Sequence, residues 1–220
     1  MEKFSVKKII GEVLGTLALV LVGAGSAALT GDLLITALAF GLSVVVLVAI
    51  GGGQYNPAVS LAAAIDKRIG WVEMLINVVA QIVGAVLAAL LIWLFLGSNT
   101  NLGANGFGVL VVAHDGDKTI GMLLALVVEV ILTFFFVLTI LRATREDEEG
   151  KAHALAPVVI GLALVVLIGL GFGLTGGSLN PARSLGPALL QGGVALEMVW
   201  VYLVGPAVGG ALAALVHKVL

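Results

Sequence analysis

Cysteine is absent from this chain, and histidine occurs only three times in 220 residues. The lack of cysteine excludes disulfide bonds and thiolate metal sites. The histidines, His114, His153 and His217, lie singly in predicted loops or at the end of a predicted span, so we expect them to be exposed. The sequence therefore predicts no metal site and no cofactor.

Charged residues are also scarce, at 11% of the chain, whereas soluble domains carry roughly 25%. Hydrophobic residues make up 60%, and the mean hydropathy is +1.20. The net charge of −2 argues against a nucleic-acid partner, which would favour a basic surface. Since a membrane span takes about 20 apolar residues, the chain has room for about six spans and not for a soluble catalytic domain. No nucleophile, base and oxyanion donor can be assembled within such spans, so we do not expect an enzyme.

The apolar runs predict six transmembrane helices in one domain, residues 1–220, with the lipid bilayer as its surroundings. The predicted spans are 8–29, 33–50, 71–96, 120–141, 155–173 and 196–216.

Basic residues are divided unevenly between the two sides of this arrangement. If the N-terminus is cytoplasmic, the inner segments hold Lys3, Lys7, Lys8, Lys67, Arg68, Arg142, Arg145, Lys151 and Lys218, and the outer segments hold Lys118 and Arg183. The positive-inside rule then places both termini in the cytoplasm. We expect a multi-pass protein of the plasma membrane.

Two stretches fit neither a span nor an ordinary loop. They are GGGQYNPAVSLAAAI at 51–65 and LTGGSLNPARSLGPALL at 174–190. Each has a glycine-rich start, an Asn-Pro pair and about ten apolar residues, which is too short to cross a bilayer and too apolar for an exposed loop. We therefore predict two re-entrant half-helices.

The two stretches occupy equivalent places, because each follows two predicted spans and precedes a third. Each group of spans also opens with an intramembrane glutamate, Glu12 or Glu129. The pattern indicates a duplication, with repeats at about 8–96 and 120–216. Since each repeat crosses the membrane an odd number of times, the repeats must be inverted, which favours a permeation site at their interface near the midplane. The predicted fold class is an all-α membrane protein with six transmembrane helices and two half-helices in an inverted 3+3 repeat.

Each half-helix carries an Asn-Pro-Ala signature, Asn56-Pro57-Ala58 or Asn180-Pro181-Ala182. Proline is favoured in a first helical turn, and asparagine before it is a preferred N-cap. Two half-helices that enter from opposite faces would meet at their N-termini, each with a partial charge of roughly +0.5. The two amides would offer N–H donors to the lumen. Such a lumen favours water oxygens and repels protons and cations.

With these signatures, the chain resembles the aquaporin (major intrinsic protein) family over essentially its whole length. The matching stretches are GEVLGT (11–16), ALAFGL (37–42), GGQYNPAVS (52–60), VVAQIVGA (78–85), VVEVILT (127–133), PVVIGLAL (157–164), GGSLNPARSLGPAL (176–189) and VGPAVGGALAAL (204–215). The resemblance implies a right-handed helical bundle, a homotetramer with one water pore per subunit, and a narrow selectivity filter on the outer side of the asparagines. A prokaryotic water channel with an isoleucine in its filter is the type most similar.

Arg183 is a candidate for this filter on physical grounds, because a charge inside an apolar half-helix is costly unless it faces water or a partner. The resemblance assigns Phe40, Ile168 and Gly177 to the same filter. From Phe40 to Asn56, however, the chain is about one helical turn shorter than is usual in the family. This shortening leaves Thr36 as an alternative to Phe40.

Glu12 and Glu129 allow two interpretations. As a proton relay they would indicate a secondary active transporter, and as acceptors of backbone N–H groups they would hold the re-entrant loops. Their equivalent places and the resemblance favour the structural role, and Gln81 is assigned to the same support.

The predicted function is passive, osmotically driven flow of water. The nearest alternative is a facilitator of small neutral solutes such as glycerol, ammonia, hydrogen peroxide or CO2, which Ile168 and Gly177 would permit. A secondary active transporter is less favoured, because the spans show no second polar cluster for a substrate. A membrane adhesion or scaffolding protein ranks last, because the loops are modest.

Overall fold

The computed structural model describes residues 5–145 and 153–220. This part of the chain forms ten helices joined by short loops. The helices are α1 (Val6–Thr30), α2 (Leu33–Gly51), α3 (Pro57–Ile65), α4 (Trp71–Leu96), α5 (Gly108–Val112), α6 (Lys118–Ala143), α7 (Ala156–Thr175), α8 (Pro181–Gln191), α9 (Gly193–Glu197) and α10 (Val199–His217). Lys3 and Lys151, which contribute to the predicted orientation, lie outside the described residues.

The six predicted spans are confirmed, since six helices are long and apolar enough to cross a membrane. The ends of these helices differ by a few residues from the predicted ends because of local contacts. Helix α6 begins at Lys118 because the Asp117 side chain accepts hydrogen bonds from the first free N–H groups. The last span divides into α9 and α10 at Met198, so α10 begins later than predicted.

The two short helices α3 and α8 are the predicted half-helices, and the packing repeats around them. Helix α1 packs on α4 in the first half of the chain, and α6 packs on α10 in the second. Helices α2 and α7 pack on each other and join the halves. Each half-helix also packs on the third span of the other half, α3 on α10 and α8 on α4. The half-helices are therefore enclosed by protein, as non-spanning backbone at membrane depth must be.

Small residues allow these helices to approach closely. At the crossing of α1 and α4, a side chain on Gly84 would collide with the backbone oxygen of Val13. At the crossing of α2 and α7, Gly41 and Gly161 each lie against the other's carbonyl oxygen. Packing of this kind replaces the hydrophobic effect as the main attraction between helices in lipid. Large apolar side chains such as Leu94 (73% exposed) and Val166 (72%) cover the outside instead.

We expect Gly84→Ala to destabilise the protein by about 1–3 kcal/mol, because the new methyl group must separate α1 from α4. The measurement is thermal unfolding in detergent followed by circular dichroism. Gly11→Ala on α1 is the matched control, since no atom lies within 4 Å of a Cβ built at Gly11. Equal melting temperatures for the two variants would contradict the close crossing.

Candidate functional site

The half-helices begin at the two signatures, and each asparagine caps its own helix. The Asn56 side chain accepts a hydrogen bond from the Ala58 N–H at 2.9 Å. The Asn180 side chain accepts from the N–H groups of Ala182 (3.0 Å) and Arg183 (3.2 Å). Pro57 and Pro181 occupy the first helical positions of α3 and α8, where a missing N–H costs nothing.

The amide group of each asparagine reaches across to the other repeat. Asn56 Nδ2 donates to the carbonyl oxygen of Leu179 at 2.8 Å, and Asn180 Nδ2 donates to that of Tyr55 at 2.9 Å. Sequence reasoning assigned these amides to the lumen only. In the structure each amide commits one N–H to the opposite loop, which leaves one N–H for the lumen.

The residue before each asparagine has an unusual backbone conformation. Tyr55 (φ 54°) and Leu179 (φ 51°) both lie in the left-handed region, which costs about 1–3 kcal/mol for a residue other than glycine. Each turn is held at both ends, since its carbonyl accepts the asparagine amide and its N–H is bound by a glutamate. The strain is thus opposed by two hydrogen bonds at each site.

Glu12 and Glu129 lie behind these turns in equivalent positions. Glu12 accepts from the N–H groups of Gln54 (2.7 Å) and Tyr55 (2.8 Å). Glu129 accepts from those of Ser178 (3.0 Å) and Leu179 (2.9 Å).

A side chain adds a further bond to each carboxylate. Gln81 Nε2 donates to Glu12 at 2.7 Å, and the Thr175 hydroxyl donates to Glu129 at 2.7 Å. Both glutamates are buried, and neither lines the central cavity.

The central cavity has a volume of about 270 Å³ and passes the two asparagines. Arg183, Phe40 and Ile168 line its outer end, and Arg68 and Thr144 line its inner end. Most of the wall between these ends is apolar, with side chains such as Val44, Val59 and Leu164 among its members.

At the outer end, the guanidinium of Arg183 lies over the ring of Phe40, with 4.9 Å between Cζ and the ring centroid. Its Nη1 donates to the carbonyl oxygen of Gly103 at 2.8 Å. Over the residues that the structure describes, no carboxylate lies within 4.0 Å of this guanidinium. The positive charge is therefore held by a carbonyl and an aromatic face and is not neutralised by an ion pair.

The other residues predicted for the filter do not all line the cavity. Ile168 lines the cavity, whereas Gly177 does not; a Cβ built at Gly177 would lie 3.5 Å from the Ile168 side chain. Thr36 is fully buried and does not line the cavity, whereas Phe40 does. Helix α2 ends at Gly51, directly before the re-entrant loop.

The inner end contains an arginine that sequence reasoning used only for orientation. Arg68 follows α3 and pairs with Asp66 at 2.7 Å. It also donates to the Thr144 hydroxyl (2.6 Å) and the Leu141 carbonyl (2.8 Å) at the end of α6. These bonds link the two repeats at this end of the cavity. Two basic residues after a half-helix, Lys67 and Arg68, give no sequence signal for such a link.

The expectation that all three histidines are exposed is wrong for two of them. His114 is half-buried, with Nδ1 2.9 Å from the carbonyl oxygen of Leu110. The His217 side chain is 11% exposed, and its Nε2 lies 3.7 Å from Asp66. Both are close to helix ends, where the last carbonyls and neighbouring side chains offer partners.

Sequence reasoning also missed a polar cluster beside the inner half of the cavity. Ser60 and Asn77 both contact the side chain of Gln54 there. The sequence does contain a signal for this cluster. Asn77 and Gln81 are polar residues four apart on an otherwise apolar span, which places them on one helix face.

Together these features make a lumen suited to neutral polar molecules. Two helix N-termini and two amide N–H groups meet at its middle, and an unneutralised guanidinium lies at its outer end. Helix N-termini carry partial positive charge, so a cation at this point is repelled while an oxygen lone pair is attracted.

Comparison with known proteins gives one consistent result. The family model described as Major intrinsic protein matches residues 1–217. The chain is 39% identical to Glycerol uptake facilitator protein-like 6 of Lactiplantibacillus plantarum, over 97% of this chain and 98% of that protein. It is 36% identical to Aquaporin Z of Rhodopseudomonas palustris, over 97% and 92%. The structure is similar to that of the aquaglyceroporin from Plasmodium falciparum, with TM-score 0.81, 28% identity and coverage of 96% of this chain and 94% of that one.

We expect Glu129→Gln to reduce stability by about 1.5–3 kcal/mol, because a neutral amide cannot accept from all three donors that the carboxylate binds. Thermal unfolding in detergent measures this loss. The matched control is Glu73→Gln, which removes only the surface ion pair with Lys8 and should cost less than about 1 kcal/mol. Similar losses for both variants would mean that Glu129 does not hold its loop.

Proposed function

Because the chain belongs to the major intrinsic protein family, whose members are passive membrane channels and not enzymes, we propose that it conducts water down osmotic gradients and excludes protons and ions. The observation that carries this proposal is the outer constriction, where Arg183 lies against the Phe40 ring. A ring and a guanidinium in contact leave a narrow passage with one charged donor.

At the midplane, Asn56 and Asn180 act as paired donors to a single file of water. Each amide is fixed by its bond to the opposite loop, so its remaining N–H keeps a constant direction. A water molecule that accepts from these donors must turn its own hydrogens away from them. Such a molecule cannot pass a proton along the file, and the two helix N-termini oppose a positive charge at the same point.

A second candidate function is the passage of small neutral solutes such as glycerol, ammonia, hydrogen peroxide or CO2. It is favoured by the apolar Ile168 in the cavity wall and by Gly177, which lies behind Ile168 and has no side chain. A wall of this kind suits the carbon face of a polyol while the guanidinium binds its hydroxyls. The relative at 39% identity is named a glycerol uptake facilitator-like protein, which agrees with this candidate.

Glu12, Glu129 and Gln81 serve as supports in this proposal and do not transport protons. The carboxylates are occupied by loop N–H groups and side-chain donors, and none of the three residues lines the cavity. A proton relay needs contact with the permeation path, which these carboxylates lack.

The assembly follows from the same family. We expect a homotetramer in the plasma membrane, each subunit being one domain of two repeats with its own pore. The described basic residues support cytoplasmic termini, since Lys8, Arg68 and Arg142 lie on one side and Lys118 and Arg183 on the other.

Stopped-flow light scattering on proteoliposomes tests the proposal. We expect rapid water flux with a low activation energy and without proton flux. Glycerol flux measured on the same vesicles decides between the two candidates. Water permeability equal to that of empty liposomes, from correctly folded protein, would exclude the water channel.

We expect Phe40→Ala to raise the ratio of glycerol to water permeability by about tenfold or more, the order of discrimination that a change in pocket size produces. Loss of the ring opens the space beside Arg183. Thr36→Ala is the matched control, because Thr36 is buried one turn away and does not line the cavity. A larger change from Thr36→Ala would assign the filter to Thr36.

We expect Arg183→Ala to admit cations, because it removes the one positive side chain at the outer constriction. Ion leak is measured with a potential-sensitive dye in the same vesicles. An unchanged leak and unchanged solute selectivity would show that Arg183 does not form the filter.

A further inference from the structure

A chain of hydrogen bonds leads from Glu12 to the inner half of the cavity. Gln81 Nε2 donates to Glu12 at 2.7 Å and to the Ser60 hydroxyl oxygen at 2.9 Å. The Ser60 hydroxyl in turn donates to Gln54 Oε1 at 2.5 Å. Gln54 lines the cavity at the end of this chain.

The direction of every bond in this chain is set by Glu12. Its carboxylate accepts from the N–H groups of Gln54 and Tyr55 and from the side chain of Gln81. Gln81 must therefore point its NH2 group, and not its oxygen, toward Glu12. The same NH2 group faces Ser60, so the single hydroxyl hydrogen of Ser60 is directed onward to Gln54. The residue that receives it must present an oxygen.

Asn77 completes the arrangement by donating to the same Gln54 oxygen at 3.2 Å. Both lone pairs of Oε1 are then used. Gln54 Nε2 donates to no atom in the part of the chain that the structure describes, and it is not one of the buried side-chain atoms without a partner. This amide nitrogen is therefore accessible, and Gln54 is one of the residues that line the cavity.

We propose that Gln54 presents a fixed N–H donor to the inner half of the pore, and that Glu12 sets its direction through Gln81 and Ser60. This proposal rests on the proposed water conduction. A water molecule at this position offers its oxygen to Gln54, as it does to the asparagines. A reversed amide would offer a carbonyl oxygen, which attracts cations and hydronium.

The equivalent place in the second repeat holds a serine whose hydroxyl donates within its own loop, to the Asn180 carbonyl oxygen at 3.2 Å, which supports a specific role for Gln54. Ser178 stands two residues before Asn180, as Gln54 stands before Asn56, and it contacts Ser184, the equivalent of Ser60. Ser184 donates to Asn105 Oδ1 at 2.8 Å, so its hydroxyl hydrogen does not continue to the pore.

Conversely, the first repeat has no counterpart of the arginine in the second. The equivalent of Arg183, three residues after the asparagine, is the apolar Val59, which lines the cavity. Gln54 and Arg183 therefore lie one in each half of the cavity, and they come from different positions of the repeat.

The test is a double-mutant cycle on water permeability per folded channel in proteoliposomes. We expect Gln54→Met to lower permeability about fivefold, the factor that corresponds to one lost hydrogen bond. Ser60→Ala should lower it about twofold, because Asn77 still binds the Gln54 oxygen. In the Gln54→Met background, Ser60→Ala should have no further effect. Ser43→Ala is the matched serine control, since Ser43 lies on α2 and does not line the cavity.

The outcomes separate the two proposals. If the unmodified protein conducts no water, the proposed function is wrong, and the proposal for Gln54 that rests on it fails as well. If it conducts water and Gln54→Met conducts equally well, Gln54 is not a donor to the file. Equal effects of Ser60→Ala in both backgrounds would show that Ser60 does not act through Gln54. A readout that needs no variant is neutron diffraction from crystals of the unmodified protein, which should show Nε2, and not Oε1, beside the nearest pore water.

Discussion

Two re-entrant loops carry backbone N–H groups to the middle of the membrane, and lipid offers these groups no partner. Glu12 and Glu129 meet this need by accepting the N–H groups of the two residues before each asparagine. Without a fixed acceptor, neither left-handed turn would be stable, and the carbonyls that follow them would not face the other repeat. The glutamates thus give the buried backbone N–H groups their hydrogen-bond acceptors. The positions of the half-helices, of the cavity and of the donors along it depend on these bonds.

The same turns explain why the two halves form one unit. Each asparagine uses its oxygen to cap its own half-helix and its nitrogen to bind the opposite turn. One side chain thus fixes a helix start and the contact between repeats. Because the arrangement is reciprocal, a shift of either half-helix would break bonds in both repeats. The glycine contacts between α2 and α7 allow the close approach that this geometry requires.

The selectivity that we propose depends, in contrast, on differences between the repeats. The inversion alone would give a symmetric pore with the same groups at both ends. Arg183 supplies a charged donor on the outer side, where the first repeat has Val59, and Gln54 lies on the inner side, where the second has Ser178. In the proposed channel, a mostly apolar passage holds water weakly, so we expect these few donors to determine where a water oxygen rests. The duplicated framework provides the path, and the unequal residues give its two ends different chemistry.

The sequence by itself determined the six spans, the half-helices and the importance of both signatures, because hydrophobic run length and the Asn-Pro cap are local properties. It also indicated Glu12 and Glu129, since a carboxylate in an apolar run is costly wherever the helix packs. It assigned Phe40 to the filter and left Thr36 as an alternative, because which of the two side chains reaches the cavity depends on how α2 packs. Nor could it show that the asparagine amides cross between repeats or that Ser60 and Asn77 both bind the Gln54 side chain. Those contacts join residues distant in sequence, and only the packed helices bring their atoms within hydrogen-bond distance.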